Sequence, residues 1–153
     1  MRHLGIAIVM LALTAGCSLF RGEEPSVEAE SSPEITELTR SVQPFYEALE
    51  NRPLDVLETY KNPRLRSFFQ TDDGFAAYYA QLAGKLREAQ FRNATAQQVD
   101  IVNLQLESPD RARVEILVIG RHERQLRRGE LSLPRTDTWI RVDGRWVIAP
   151  EKL

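Results

Sequence analysis

Cysteine occurs once in this 153-residue chain and histidine only twice. One cysteine excludes a disulfide framework inside the chain and any multi-cysteine zinc site. Neither sign of charge dominates, since 20 Lys+Arg stand against 22 Asp+Glu for a formal net charge of −2. A nucleic-acid-binding surface needs a basic excess and a disordered polyelectrolyte needs a large net charge, so neither class fits and no nucleic-acid partner is expected. Mean hydropathy of −0.35 excludes a polytopic membrane protein. Also absent are a glycine-rich phosphate loop, a G-x-S-x-G elbow and an H-E-x-x-H helix, which removes three common routes to catalysis. No metal and no cofactor is implied. The length suits one domain with additions, not two full domains.

The first addition is at the N-terminus. Arg2 and His3 precede an apolar run, Leu4–Thr14, of 11 residues. At about 1.5 Å per helical residue it reaches roughly half of the ~30 Å hydrocarbon core, too short to span it. A basic start, a short apolar run and a small-residue site are the parts of a secretory signal. The site reads Leu13-Thr14-Ala15-Gly16-Cys17 and resembles the lipobox of bacterial lipoproteins. The resemblance implies a signal peptide over 1–16, cleavage between Gly16 and Cys17, and a diacylglyceryl group on Cys17, with the new amine acylated as well. Thr14 stands where such sites usually carry Leu. Two or three acyl chains hold a bilayer firmly where one does so marginally, and a lipidated Cys17 is neither nucleophile nor metal ligand. Ser18, where Asp would mark retention in an inner membrane, implies the periplasmic face of the outer membrane in a two-membrane bacterium.

Ser18–Pro33 is rich in Ser, Glu, Pro and Gly, with four acids against Arg21, and reads as a flexible tether completing a 17–33 segment. Its sixteen residues span about 20–25 Å as a coil. A domain over 34–153 follows, helical in its first half and stranded in its second. Ser31–Glu34 offers a capping box, and Ile35, Leu38, Val42, Phe45 and Leu49 form one helical stripe that Pro44 is expected to kink or split. A short helix carrying Leu54, Leu57 and Tyr60 is expected to stop before Pro63. A third, capped by Asp72, carries Phe75, Tyr78 or Tyr79, Leu82 and Leu86. Beyond Asn93 the period becomes two: Ala112, Val114, Ile116 and Val118 make a wholly apolar face. Asp143-Gly144 signals a two-residue hairpin pairing Val142 with Arg145, Ile140 with Val147 and Trp139 with Ile148. Leu106, Leu104 and Val102 are set opposite Ala112, Val114 and Ile116. The expected fold is α+β, with N-terminal helices packed on a curved four-stranded antiparallel meander.

Phe45-Tyr46, Leu57–Tyr60 and the closing Asp137-Thr138-Trp139-Ile140-Arg141-Val142-Asp143-Gly144-Arg145-Trp146-Val147-Ile148 carry a second resemblance. From about Val42 to Pro150 the chain is similar to the nuclear transport factor 2-like (SnoaL-like) superfamily, whose cone-shaped, cystatin-like α+β fold is shared with ketosteroid isomerase and scytalone dehydratase. That fold hosts enzymes, ligand binders and interaction modules, so it does not fix the chemistry.

Alternation nominates two ionisable residues for the interior. His122 continues the Ala112–Val118 face through Gly120, and Asp137 shares its face with Trp139 and Ile148. Asp100 would join them unless a bulge intervenes, and Val99 and Ile101 point to one. A buried His122–Asp137 pair would suit an isomerase or dehydratase. The plainer reading makes His122 a residue at a fraying strand end and Asp137 a strand-end acid paired with Arg135 or Arg141. Tyr46, Tyr60, Tyr78, Tyr79 and Trp139 would line a pocket for a small apolar ligand, although their spacing also fits core packing. Arg121, Arg124, Arg127 and Arg128 gather near Gly129 as a patch for a partner or for anionic headgroups, diluted by Glu123 and Glu130. The functional expectation is a membrane-anchored, non-catalytic module that binds a protein partner or a second copy of itself. The alternatives are a small-ligand carrier using Tyr46, Tyr60, Tyr79, His122, Asp137 and Trp139, and a cone-type isomerase or dehydratase.

Overall fold

The computed structural model of the protein describes residues 32–124 and 129–149. The expected signal peptide, Cys17, the tether up to Ser31, and Arg127 and Arg128 lie outside the described residues. Helix α1 (Pro33–Leu49) is followed by β1 (Arg52–Pro53), α2 (Leu57–Tyr60), α3 (Pro63–Arg66) and α4 (Asp72–Glu88). A single 3₁₀ turn, Arg92–Ala94, leads into β2 (Thr95–Ala96), β3 (Gln98–Ser108), β4 (Arg111–Arg121), β5 (Glu130–Val142) and β6 (Arg145–Ala149). Strands β3 to β6 form one antiparallel sheet in sequence order, a meander, while β1 and β2 make a separate two-stranded ladder. The α+β class is therefore the expected one. Helices first and a closing antiparallel meander is also the order that the nuclear transport factor 2-like resemblance implies.

The starts of α1 and α4 each differ from expectation by one residue. Ser32 caps α1, accepting from the Ile35 N–H at 3.3 Å, because Pro33 has no N–H to satisfy and fits the first helical position. Thr71, not Asp72, caps α4 by accepting from the Gly74 N–H at 3.0 Å; Asp72 and Asp73 instead face the positive helix end. Pro63 opens a helix where it was expected to end one: Asn62 caps α3 and Pro63 again takes the first position. Pro44 does not divide α1. It removes one hydrogen bond, to the Arg40 carbonyl, but Leu38 and Val42 before it and Phe45, Tyr46 and Leu49 after it are all buried on one stripe. Packing on both sides outweighs the lost bond.

The closing hairpin has the expected register, Val142↔Arg145, Arg141↔Trp146, Ile140↔Val147 and Trp139↔Ile148. Asp143 (φ 49°) and Gly144 (φ 77°) both take the left-handed region that the two-residue turn requires. On β3, Leu106 and Leu104 oppose Ala112 and Val114, but Ile101 and not Val102 opposes Ile116. Val102 is the extra residue of a bulge and is 64% exposed. The bulge keeps Val99 and Ile101 inward, so Asp100 lies on the outer face.

Inner-face residues of the sheet and the buried stripes of α1 and α4 form one core that includes Phe45, Tyr46, Phe75, Tyr78, Ile116 and Trp139. The free edge of β6 is closed by Phe68–Phe69, with the Ile148 N–H donating to the Phe68 carbonyl at 2.8 Å. At the other end of the sheet, a Cβ on Gly120 would stand 2.6 Å from the Phe91 ring and 2.9 Å from the Thr95 carbonyl oxygen. Because part of that obstacle is backbone, Gly120→Ala is expected to cost about 1–3 kcal/mol. Urea unfolding of the variant against wild type measures it.

Candidate functional site

Alternation along β5 puts Arg135, Asp137 and Trp139 on the inner face, directly under α1 and α4. The Arg135 Nε donates to Asp137 Oδ1 at 2.7 Å, and the two side chains are 7% and 1% exposed. Asp137 Oδ2 accepts from the Tyr46 hydroxyl at 3.1 Å and from the Tyr78 hydroxyl at 2.8 Å. Trp139 Nε1 donates in turn to the Tyr46 oxygen at 3.0 Å. The Arg135 guanidinium carbon lies 4.4 Å from the centre of the Tyr78 ring, a cation–π distance. Phe45 walls the cluster, its ring centroid 5.3 Å from Tyr46, 5.7 Å from Tyr78 and 5.8 Å from Trp139, all edge-on.

The electrostatics follow from burial. Both phenols are raised well above their ordinary value of 10.0, first by burial and next by the Asp137 charge. They are therefore protonated hydrogen-bond donors at neutral pH. Each Asp137 oxygen is occupied, one by a guanidinium and one by two hydroxyls. An unpaired carboxylate in such surroundings would be costly; one with three donors is not. Chemically the arrangement holds three elements together and leaves no lone acid or base.

Of the residues singled out from sequence, Tyr46, Asp137 and Trp139 meet in this cluster. Asp137 does pair with Arg135, as one alternative had it, but mid-strand and buried; Arg141 pairs with Glu37 at 2.8 Å. Tyr78, left open against Tyr79, is the α4 tyrosine that reaches the core. Tyr60 and Tyr79 lie elsewhere, ring centroids 5.3 Å apart and both packed on Phe75. The Tyr79 hydroxyl donates to the Val56 carbonyl at 3.0 Å. His122 is buried just past β4, bridged to Phe91, its Nδ1 accepting from the Arg124 N–H at 3.0 Å. Since Asp137 stands opposite Val114, His122 is eight residues further along β4, about 26 Å at ~3.3 Å per residue. The alternative that paired His122 with Asp137 is corrected: Asp137 lies mid-strand in β5, and His122 lies beyond the far end of β4. Arg121 is exposed and stands opposite Glu130, and Arg124 is exposed beyond it.

No described cleft is lined by any of the six residues of the candidate pocket. An open cleft of ≈ 530 Å³, bordered by Lys85, Val102, Ile116, Leu117, Pro134 and Arg135, touches the cluster only through Arg135. A smaller one of ≈ 420 Å³ lies at the closing turn. Among the described residues no three His, Cys, Asp or Glu are grouped to hold a metal ion, and no helix is long and apolar enough to cross a membrane.

No family model and no curated protein matches the chain. Among similar solved structures, a chain from Campylobacter jejuni named as an NTF2-like transpeptidase has 13% identity and a TM-score of 0.36, over 76% of this chain and 97% of that one. A SEC-C motif containing protein from Rhodopseudomonas palustris has 14% identity and a TM-score of 0.34, over 72% of this chain and 87% of that one. Scores this low leave the fold to be defined by the element order and sheet register given above.

Asp137→Asn keeps the shape but removes the charge that the Arg135 guanidinium and two phenols bond, and is expected to cost about 3–5 kcal/mol in urea unfolding. The raised phenols set an alkaline limit. Below pH ~10 both folded and unfolded chains keep these protons; above it the unfolded chain releases them and the fold does not, so stability falls as pH rises. The urea midpoint is expected to drop between pH 9 and pH 11 (roughly the window just around the ordinary tyrosine value), and Tyr78→Phe to make that drop shallower.

Proposed function

We propose that this protein is an envelope lipoprotein, held on a membrane by acyl chains on Cys17, whose folded part is a non-catalytic interaction module of nuclear transport factor 2-like architecture. One observation carries the non-catalytic reading: the one carboxylate buried among the described residues has its donors in place and stands about 26 Å, at ~3.3 Å per residue, from the only histidine of the domain. A proton-transfer site needs those groups together, in a cleft that a substrate enters. The small-ligand carrier loses its support in the same way, because Tyr46 and Trp139 are packed in the core while Tyr60 and Tyr79 pack elsewhere.

The sheet supplies the contact surface in this reading. Every helix–sheet contact described above falls on the inner face. The outer face presents Leu117 and Ile119 near one end and Ile140 and Val142 near the other, all half-buried, with Arg113, Glu115, Thr136 and Thr138 between them. Two apolar patches around a polar strip suit a partner protein or a second copy. The anchor rests on the Leu13–Cys17 motif, and Ser18 favours the periplasmic face of an outer membrane.

Two measurements test the halves separately. Cells fed an alkyne fatty acid are expected to label the protein and retain it in the membrane fraction, and Cys17→Ser to abolish both; an unlabelled wild-type chain ends the anchor reading. Ile140→Asp is expected to lower the yield of crosslinked complexes in whole cells at least about tenfold, the effect of a hot-spot loss of ~1.4 kcal/mol or more. An unchanged crosslinking pattern removes the outer face as the contact surface.

A further inference from the structure

Among the described residues three large apolar side chains are exposed, and two of them are neighbours: Val56 at 39% and Leu57 at 62%. The third, Val102, is accounted for by its bulge. The neighbouring pair is not accounted for by the fold, because α2 is amphipathic in the wrong sense. Its buried residue is Thr59, at 4%, and its leucine points to solvent. Nor is the pair loosely held. The Tyr79 hydroxyl is bonded to the Val56 carbonyl, the Tyr60 and Phe75 rings stack at 5.5 Å, and Leu54 beside them is fully buried. Two tyrosine rings thus brace a small apolar tip. Arg52, Lys61 and Arg64 are exposed in the flanking sequence, as are the acids Asp55 and Glu58.

We infer that the Val56–Leu57 tip dips into the surface of the lipid bilayer. A protein partner is the poorer fit, since two aliphatic side chains fall far short of the roughly 1,000 Å² that a stable protein interface buries. A bilayer needs no matching shape, and Tyr beside aliphatic residues with Lys and Arg at the rim is the composition that favours its interfacial zone. The inference rests on the reading of Cys17 as acylated: a tether spanning about 20–25 Å keeps the local lipid concentration high enough for a weak contact to be occupied. The tip then fixes which side of the domain faces the membrane and leaves the outer sheet face free.

The test uses the full mature lipoprotein carrying Leu57→Cys, whose thiol is the one available to a maleimide fluorophore when Cys17 is acylated. The protein is reconstituted in vesicles of phosphatidylethanolamine and phosphatidylglycerol containing a headgroup-level quencher lipid. The label at residue 57 is expected to be quenched at least about twofold more than the same label on Gln105→Cys, and an added Lys61→Glu to reduce that difference. Equal quenching at 57 and 105 overturns the inference while leaving the anchor intact. Shielding at 57 in native membranes but not in pure lipid vesicles overturns it in favour of a protein partner. Two labels per chain by mass show an unmodified Cys17, which ends the anchor reading and this inference with it.

Discussion

A buried carboxylate needs donors, and Asp137 collects its three from three parts of the chain: Tyr46 on α1, Tyr78 on α4 and Arg135 on its own strand. Everything near it is constrained by that demand. The stripe of α1 must face β5 at the height of Asp137, which requires the helix to run through Pro44 without a break. On α4, Tyr78 rather than its neighbour must point inward, which sets the rotation of the helix and sends Tyr79 to the surface beside Val56. Trp139, two residues along β5, donates to the Tyr46 oxygen and so orients the hydroxyl toward Asp137. Hydrophobic burial supplies most of the free energy of such a core, but it is tolerant of sliding; the polar cluster removes that tolerance.

Much of this was legible in the sequence wherever a local rule decides. Asp143-Gly144 set the register of the last hairpin, since only one pairing puts two positive-φ residues at the turn. Alternation assigned the Ala112–Val118 face and put Asp137 on one face with Trp139 and Ile148. What local rules could not reach was the set of partners across the core. Nothing near Tyr46 or Tyr78 announces Asp137, and choosing between Tyr78 and Tyr79 needs the helix phase to within one residue. Pro33 and Pro63 both took the first helical position and the residue before each became the cap, whereas at α4 Thr71 took the cap from its neighbour Asp72. Alternation left two readings open for His122, and its distance from Asp137 follows from strand length, since alternation carries no information about height along the sheet.

The functional reading is shaped by how the molecule uses its polar groups. Buried polar residues often mark chemistry because a site needs groups whose demands are left unmet until a ligand arrives. Here Asp137 is already satisfied within the fold, and the His122 Nδ1 is occupied by a backbone donor. The less settled features are on the surface, in the outer sheet face and the Val56–Leu57 tip.

The donors of Asp137 also impose an order in time. Tyr46 and Tyr78 are 91 and 59 residues away from it in the chain, and Trp139 is 93 residues from Tyr46. Contacts of such sequence separation close late, because the loop entropy must be met before they form. Until β5 has been made and delivered, Tyr46 and Tyr78 lack the carboxylate to which their hydroxyls donate. A chain with this wiring does not complete its core from its N-terminal half alone.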